Sequence, residues 1–284
     1  MSSQREVLVI VGAGGMGVSV ARRSGGGRVI VLADVSEAQL ERAAEQLVVD
    51  GHNIVTRRVD VTSQSSVAEL ANFAGSCGRL THVVHTAGLS PLQGSVEAVL
   101  AVDLLGVALT LDEFGKVIEP GGAGVIISSM AAHFHPPMDP GVERQLATAA
   151  TDELLKLEAC APAVIANSQQ AYPFAKRANQ LRVAAAAGTW GRRGARINSL
   201  SPGIISTAMG RQELDGDSGQ MMRAMVDSSA TGRVGTPDDI AAAADFLLSP
   251  AASFITGTDL LVDGGVVAAV RTGTVALTGT NSSP

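Results

Sequence analysis

Short apolar runs alternate with helical patterns along almost the whole chain, and this alternation constrains the fold more than any other feature. The runs fall at residues 7–11, 29–33, 54–59, 83–85, 125–128, 196–199 and 260–262. Stretches with helical spacing lie between them, and the second opens at Ser36 with Gln39 three residues on, a capping-box pattern. Strands that alternate with helices require right-handed crossovers, which predicts an α/β, doubly wound parallel sheet. A chain of 284 residues can close one such domain around a substantial core, with no internal repeat and nothing that forces a second. One domain over residues 1–284 is expected, with a small, polar tail from Arg271 frayed at its end.

The first run leads into "GAGGMGVSVARR", which sets Gly12-x-Gly14-x-x-Gly17 between a strand and a helix. That is the context of a dinucleotide-binding turn: glycine permits the tight bend, and the N–H groups at the helix start face a pyrophosphate. Gly12, Gly14, Met16 and Gly17 are the expected contacts. The next strand ends in Asp34, about twenty residues after the first glycine, where a carboxylate can accept hydrogen bonds from ribose hydroxyls. The same charge repels a ribose 2′-phosphate, and Val35 and Ser36 bring no cation to receive one. Arg22 and Arg23 lie late in the first helix, where they serve its dipole or solvent. NAD is therefore expected over NADP.

Tyr172 and Lys176 stand four residues apart in "QQAYPFAKRANQL", a helical stretch, so both leave the same face. Ser128 and Ser129 close the apolar run of "GVIISSMAAH". A phenol, an ammonium one turn on and a hydroxyl at a strand end can pass a proton to a carbonyl. Bringing a free phenol from a pKa of about 10 to near 7 requires roughly 4 kcal/mol. An ammonium about 4 Å away supplies that at an effective dielectric near 20. A lowered phenol pKa is the expectation.

Composition removes several function classes. A formal net charge of −6 lacks the basic footprint of a nucleic-acid binder, and 3% aromatic residues leave little to stack on bases. Cys77 and Cys160 are far apart and outside any metal spacing, which fits a reduced, cytoplasmic compartment. The apolar run at the N-terminus is too short for a signal or a membrane span. His133 and His135, in "HFHPP", have no carboxylate or cysteine pattern beside them, so no metal is expected and the pair is placed at a pocket rim or in solvent.

With these motifs in order, nearly the whole chain resembles the short-chain dehydrogenase/reductase family, whose fold implies a seven-stranded Rossmann sheet. "HTAG" at 85–88 stands where the family has Asn-Asn-Ala-Gly, which places Ala87 and Gly88 at the cofactor. "RVDVT" at 58–62 is similar to the adenine-contacting segment, with Asp60 and Val61 in the family's positions. "SPGIIST" at 201–207 resembles the segment that implies cofactor contacts at Pro202, Gly203, Ile205 and Thr207, the threonine holding the carboxamide. The resemblance makes Tyr172 the general acid or base, Lys176 its partner and a ribose ligand, and Ser129 the group that orients the carbonyl oxygen. It also implies a homodimer or homotetramer. Two departures stand out. The family keeps three residues between its first two glycines, and Gly12-x-Gly14 is shorter. In "LAVDLLGVAL", Asp103 occupies the place of the catalytic asparagine, which holds a water linking the lysine to a proton relay. The preferred reading is a replacement acting mostly through its backbone carbonyl; the alternative is a carboxylate that raises the phenol's pKa.

Residues 130 to 171 separate Ser129 from Tyr172, far more than the family's usual connection. The insertion, at about 130–168, runs from the serine to the tyrosine and is expected to border the active-site mouth. Within it "GVERQLATAATDELLKLEAC" reads as a helix, with Val142, Leu146, Ala149 and Leu157 on one face. With "SPAASFITGTDLLVDGGVVAAVR", the insertion resembles the 3α-hydroxysteroid dehydrogenase/carbonyl reductase branch. A lid is expected at about 208–229, where Met221, Met222 and Met225 offer adaptable apolar contacts. The expected function is hydride transfer between NAD(H) and a bulky or hydrophobic ketone or secondary alcohol. The competing readings are a nicotinamide-binding sensor without catalysis and an enoyl reductase, which expects a wider Tyr–Lys interval.

Overall fold

Alternate residues of β1 (Glu6–Val11) enter two different cores: Val7, Val9 and Val11 on one side, Leu8 and Ile10 on the other. This period of two explains the continuous apolar run, because a strand buried on both faces has no polar side to display. The computed structural model describes residues 5–216 and 218–274, so the end of the predicted frayed tail lies outside the described residues. The other strands are β2 (Val29–Asp34), β3 (Asn53–Arg58), β4 (Arg79–His85), β5 (Ala123–Ile127), β6 (Arg196–Pro202) and β7 (Asp259–Val262). They form one parallel sheet in the order β3-β2-β1-β4-β5-β6-β7, as the alternation predicts.

Helices α1 (Gly15–Ser24), α2 (Glu37–Val49) and α3 (Gln64–Cys77) follow the first three strands. After β4 come a short α4 (Val96–Val99), a π-helical turn over Leu100–Leu105 and α5 (Gly106–Val117). Beyond β5 lie α6 (Pro140–Thr148) and the long α7 (Ser168–Arg192). Helices α8 (Ala208–Asp215), α9 (Gly219–Ser228), α10 (Pro237–Leu248) and α11 (Val266–Arg271) complete the described chain. Residues of α3, α5 and α7 pack on one face of the sheet, and those of α1, α2 and α10 on the other.

The single long helix expected in the insertion is replaced by α6 and two 3₁₀ turns, Leu154–Lys156 and Glu158–Cys160. Asp139 caps α6 by accepting from Gly141 N at 2.7 Å, with Pro140 in the first turn. At the other end Arg182 Nη1 donates to the carbonyls of Leu146 (3.0 Å) and Ala149 (3.1 Å). Those carbonyls take a guanidinium in place of a further helical turn. The expected apolar face survives in another form: Leu146, Leu154 and Cys160, with Val142, Ala149 and Leu157 at their edge, pack on α7 as a third core.

Candidate active site

A cleft of about 480 Å³ opens where the strand order reverses, at the C-terminal ends of β1 and β4. Open parallel sheets bind ligands at that point. Gly12, Gly14, Met16, Asp34, Asp60, Val61, Ala87, Gly88 and Thr207 all line it. Gly12 has φ +106°, and a Cβ there would lie 2.5 Å from Ala87 N. Gly17 lies beneath the turn instead of in the cleft; a Cβ on it would run into Gly12 O, so its role is close packing of α1 on β1. Gly14 is the N-cap of α1, and space is open where its Cβ would stand. The first-turn N–H groups of α1 have no helical acceptor of their own, so the shorter turn still presents an anion-binding helix end.

Asp34 is held at the edge of this cleft. Its Oδ2 accepts from Ala13 N at 2.8 Å and its Oδ1 from Ser36 N at 3.0 Å. The second contact explains why only half of the expected capping box forms. Ser36 Oγ accepts from Gln39 N at 3.3 Å, but Ser36 N is already bonded, and Gln39 Nε2 donates to Ala13 O at 2.8 Å. Two arginines of the flanking helices are engaged elsewhere: Arg22 pairs with Asp50 at 2.7 Å, and Arg42 donates to Gln39 at 2.7 Å, while Arg58 stands opposite Asp34 in the β2–β3 register.

A second cavity, of about 390 Å³, shares Met16, Thr207 and Met209 with the cleft. Ser129 and Tyr172 line it together with Pro202, Gly203 and Ile205, so these last three face the second cavity and not the cleft. The helix that carries Tyr172 and Lys176 is pinned by three polar contacts to three elements. Ser128 Oγ donates to Lys176 O at 2.8 Å, Asn179 Nδ2 to Asp103 O at 2.9 Å, and Gln180 Nε2 to Ser201 Oγ at 3.1 Å. Ser128 thus has a structural task, which leaves Ser129 as the hydroxyl beside the phenol. Lys176 Nζ stands 5.4 Å from the Tyr172 ring centre, and a Cβ on Gly88 would lie 3.2 Å from that Nζ.

Residues 5–140 match the model described as short chain dehydrogenase, and residues 142–267 the one described as Enoyl-(Acyl carrier protein) reductase. The short-chain dehydrogenase/reductase bsc3 of Alternaria brassicicola is 40% identical over 93% of this chain and 96% of its own. The chain belongs to the short-chain dehydrogenase/reductase family. It is thereby an oxidoreductase of a family that uses a nicotinamide cofactor. The 3-alpha-hydroxysteroid dehydrogenase/carbonyl reductase of Comamonas testosteroni is 30% identical over 78% of this chain and 89% of its own. A short-chain type dehydrogenase/reductase structure from Mycobacterium ulcerans superposes with a TM-score of 0.73 at 24% identity, covering 97% of this chain and 96% of that one. It shares the fold.

Within this short-chain dehydrogenase/reductase the departure at Asp103 is more than a backbone substitution. The π-helical turn carries the residue inward until it is 0% exposed, and its Oδ2 lies 3.2 Å from Lys176 Nζ. Leu89 N donates to its Oδ1 at 2.7 Å, while Oδ2 meets the ammonium without the alignment of a hydrogen bond. Both its backbone carbonyl and its carboxylate are therefore engaged. Burial raises the Asp103 carboxyl above the usual range, with the Lys176 charge opposing. Burial works to lower the Lys176 ammonium, but Asp103 and Tyr172 outweigh it and the net direction is upward.

The phenol departs from the sequence expectation. Burial raises Tyr172 above its ordinary value; Lys176 and the Ser129 hydroxyl oppose this, and Asp103 and Glu213 add to it. The ammonium's pull is outweighed by desolvation of the phenolate together with the carboxylate beside the lysine. His85, which stands in place of a family asparagine, is fully buried and held neutral. Burial, aided by Lys176, drops its pKa to about 3, and its Nδ1 meets Thr110 Oγ1 at 2.9 Å.

The histidine pair splits. His135 lines the second cavity, whereas His133 Nε2 meets Oδ2 of Asp259, the first residue of β7, at 2.9 Å. Among the described residues no group of three or more potential ligands could hold a metal, and no helix is long and apolar enough to cross a membrane. Of the insertion, Met130, Ala131, Phe134, His135 and Pro136 and, beyond it, Gln169 reach the second cavity, while α6 packs on α7. The expected lid forms one wall through Met209, Glu213, Met221, Met222 and Met225. Thr86, Gln39, Gln93 and Glu213 line the two spaces, although none is among the expected site residues. "HTAG" contained Thr86, whose Oγ1 donates to Gly12 O at 2.8 Å, but the other side chains are brought in only by tertiary folding.

Proposed function

We propose that this short-chain dehydrogenase/reductase interconverts a bulky, hydrophobic ketone and its secondary alcohol with NAD(H). The observation that carries the reading is the placement of Ser129 and Tyr172 in a mostly apolar cavity that adjoins the glycine-rich cleft. The open space at Gly14 and the helix end behind it fit a pyrophosphate, and Asp34 fits an unphosphorylated adenosine ribose. Gly12, Gly14, Met16, Asp34, Asp60, Val61, Ala87 and Gly88 would hold the cofactor, with Lys176 on a ribose and Thr207 on the carboxamide. When bound, NAD(H) supplies or accepts the hydride.

The rest belongs to the chain. The Tyr172 hydroxyl donates its proton to the carbonyl oxygen in reduction, and the phenolate takes the proton back in oxidation. Ser129 Oγ donates a hydrogen bond to the same oxygen and stabilises the developing alkoxide. Lys176 limits the rise that burial imposes on the phenol. The cavity walls of methionine, proline and phenylalanine exclude water, and α8 and α9 act as a lid. The protein acts in the cytoplasm as a homodimer or homotetramer on a small molecule, without nucleic acid, membrane or metal.

One observation favours a second reading, a nicotinamide-responsive regulator: Asp103 ties up Lys176 and the phenol sits above its ordinary pKa. Oxidation of NADH and NADPH against a panel of cyclic and aromatic ketones separates the two. Turnover is expected, with higher kcat/KM for NADH, and Asp34→Ala narrows that gap because the 2′-phosphate no longer meets a carboxylate. Tight NADH binding with no turnover of any ketone or alcohol would favour the regulator. A wild-type preference for NADPH would overturn the role given to Asp34.

A further inference from the structure

The substrate-side cavity has apolar walls and one carboxylate. Met130, Phe134 and Pro136 form one side, and Met209, Met222 and Met225 face it from α8 and α9. Glu213 follows Met209 by one helical turn, so the two share a face of α8 and both line the cavity. Among the described residues its side chain has no ion-pair or hydrogen-bond partner. Burial alone pushes its carboxyl up, with no cation or donor pulling back.

The arginines of α8 and α9 are engaged elsewhere: Arg211 donates to Ser206 O at 3.2 Å and Arg223 to Leu214 O at 2.8 Å. His135, the other titratable side chain in the wall besides Tyr172, is bonded to Pro136 O at 2.7 Å. Glu213 and Tyr172 line the same cavity, and the Glu213 charge adds to the upward push on the phenol. A partly buried carboxylate in an apolar wall is unfavourable until a donor reaches it.

We infer that Glu213 is the second polar anchor of the substrate, which carries a hydrogen-bond donor remote from its carbonyl on an otherwise apolar frame. The inference rests on the reading of this cavity as the substrate site and narrows the substrate class to hydroxylated or amino ketones and the matching alcohols. A purely hydrocarbon ketone leaves the carboxylate buried and unpartnered, and an ether in place of the hydroxyl adds an acceptor against an acceptor.

The test uses decalone and the same ketone carrying a remote hydroxyl, methoxyl or amino group, with wild type and Glu213→Leu. Wild type is expected to prefer the hydroxyl or amino ketone over the methoxyl one by about tenfold or more in kcat/KM. Glu213→Leu is expected to invert the order, gaining on decalone while losing on the donor-bearing ketones, a crossover that misfolding cannot produce. The better of the hydroxyl and amino ketones identifies the donor as neutral or cationic, and either supports the anchor. Equal kcat/KM for all four in wild type, or a preference that persists in Glu213→Leu, overturns it. Should no ketone be reduced, the proposed reaction fails separately. Calorimetric binding of the same four to the NADH-loaded protein still ranks donor over methoxyl if the anchor is right, and ranks them alike if it is wrong.

Discussion

Asp103 Oδ2, 3.2 Å from Lys176 Nζ, contributes to the electrostatics around the phenol. The ammonium favours the phenolate, the carboxylate disfavours it, and burial of Tyr172 disfavours it most. Under the proposed mechanism the phenolate is the base in alcohol oxidation, so kcat/KM should rise as pH climbs through the phenol's pKa. Removing a negative charge favours the phenolate, and Asp103→Asn is therefore expected to move that rise to lower pH by about one unit. Profiles of kcat/KM for both proteins, with one alcohol and saturating NAD, check the shift. An unmoved profile would mean that only the backbone carbonyl, bonded to Asn179, matters; an upward move would contradict the assignment outright. At this scale the residues were legible from spacing and motif, because helix geometry alone puts Tyr172 and Lys176 on one face. The balance of charge and desolvation was not, since it depends on how far the π-helical turn carries Asp103 inward.

The helix bearing Tyr172 and Lys176 owes its position to its neighbours, and the insertion is one of them. Arg182, on the same helix, holds the last carbonyls of α6 and reaches Thr151 Oγ1 at 3.3 Å, while Arg177 pairs with Glu143 at 2.7 Å. Arg182→Met keeps the apolar stem but strands the buried Leu146 carbonyl and the half-buried Ala149 carbonyl. Its expected cost is about 1–3 kcal/mol in urea unfolding, with faster hydrogen exchange over residues 142–160. Unchanged stability and exchange would show that apolar packing alone holds the insertion. The apolar spacing of Val142, Leu146, Ala149 and Leu157 foretold the buried face. It did not foretell the break after Thr148, because the arginine that replaces the next turn comes from more than thirty residues later.

Across the whole molecule the strand–helix alternation sufficed for the sheet, because each doubly buried strand leaves an uninterrupted apolar run and the crossover rule permits few orders. The two cavities were harder to foresee. Pro202, Gly203 and Ile205 fall on the second cavity's side of the junction at Met16, Thr207 and Met209, a division set by packing that no local motif encodes. That division gives the account its most direct test. Tyr172 lines the substrate-side cavity and not the cleft, so deleting its hydroxyl should abolish proton transfer without disturbing the cofactor. For Tyr172→Phe the expected result is a fall in kcat of about a hundredfold or more, with NADH affinity by fluorescence titration unchanged. A folded Tyr172→Phe protein that reduces ketones at near the wild-type rate would contradict the account.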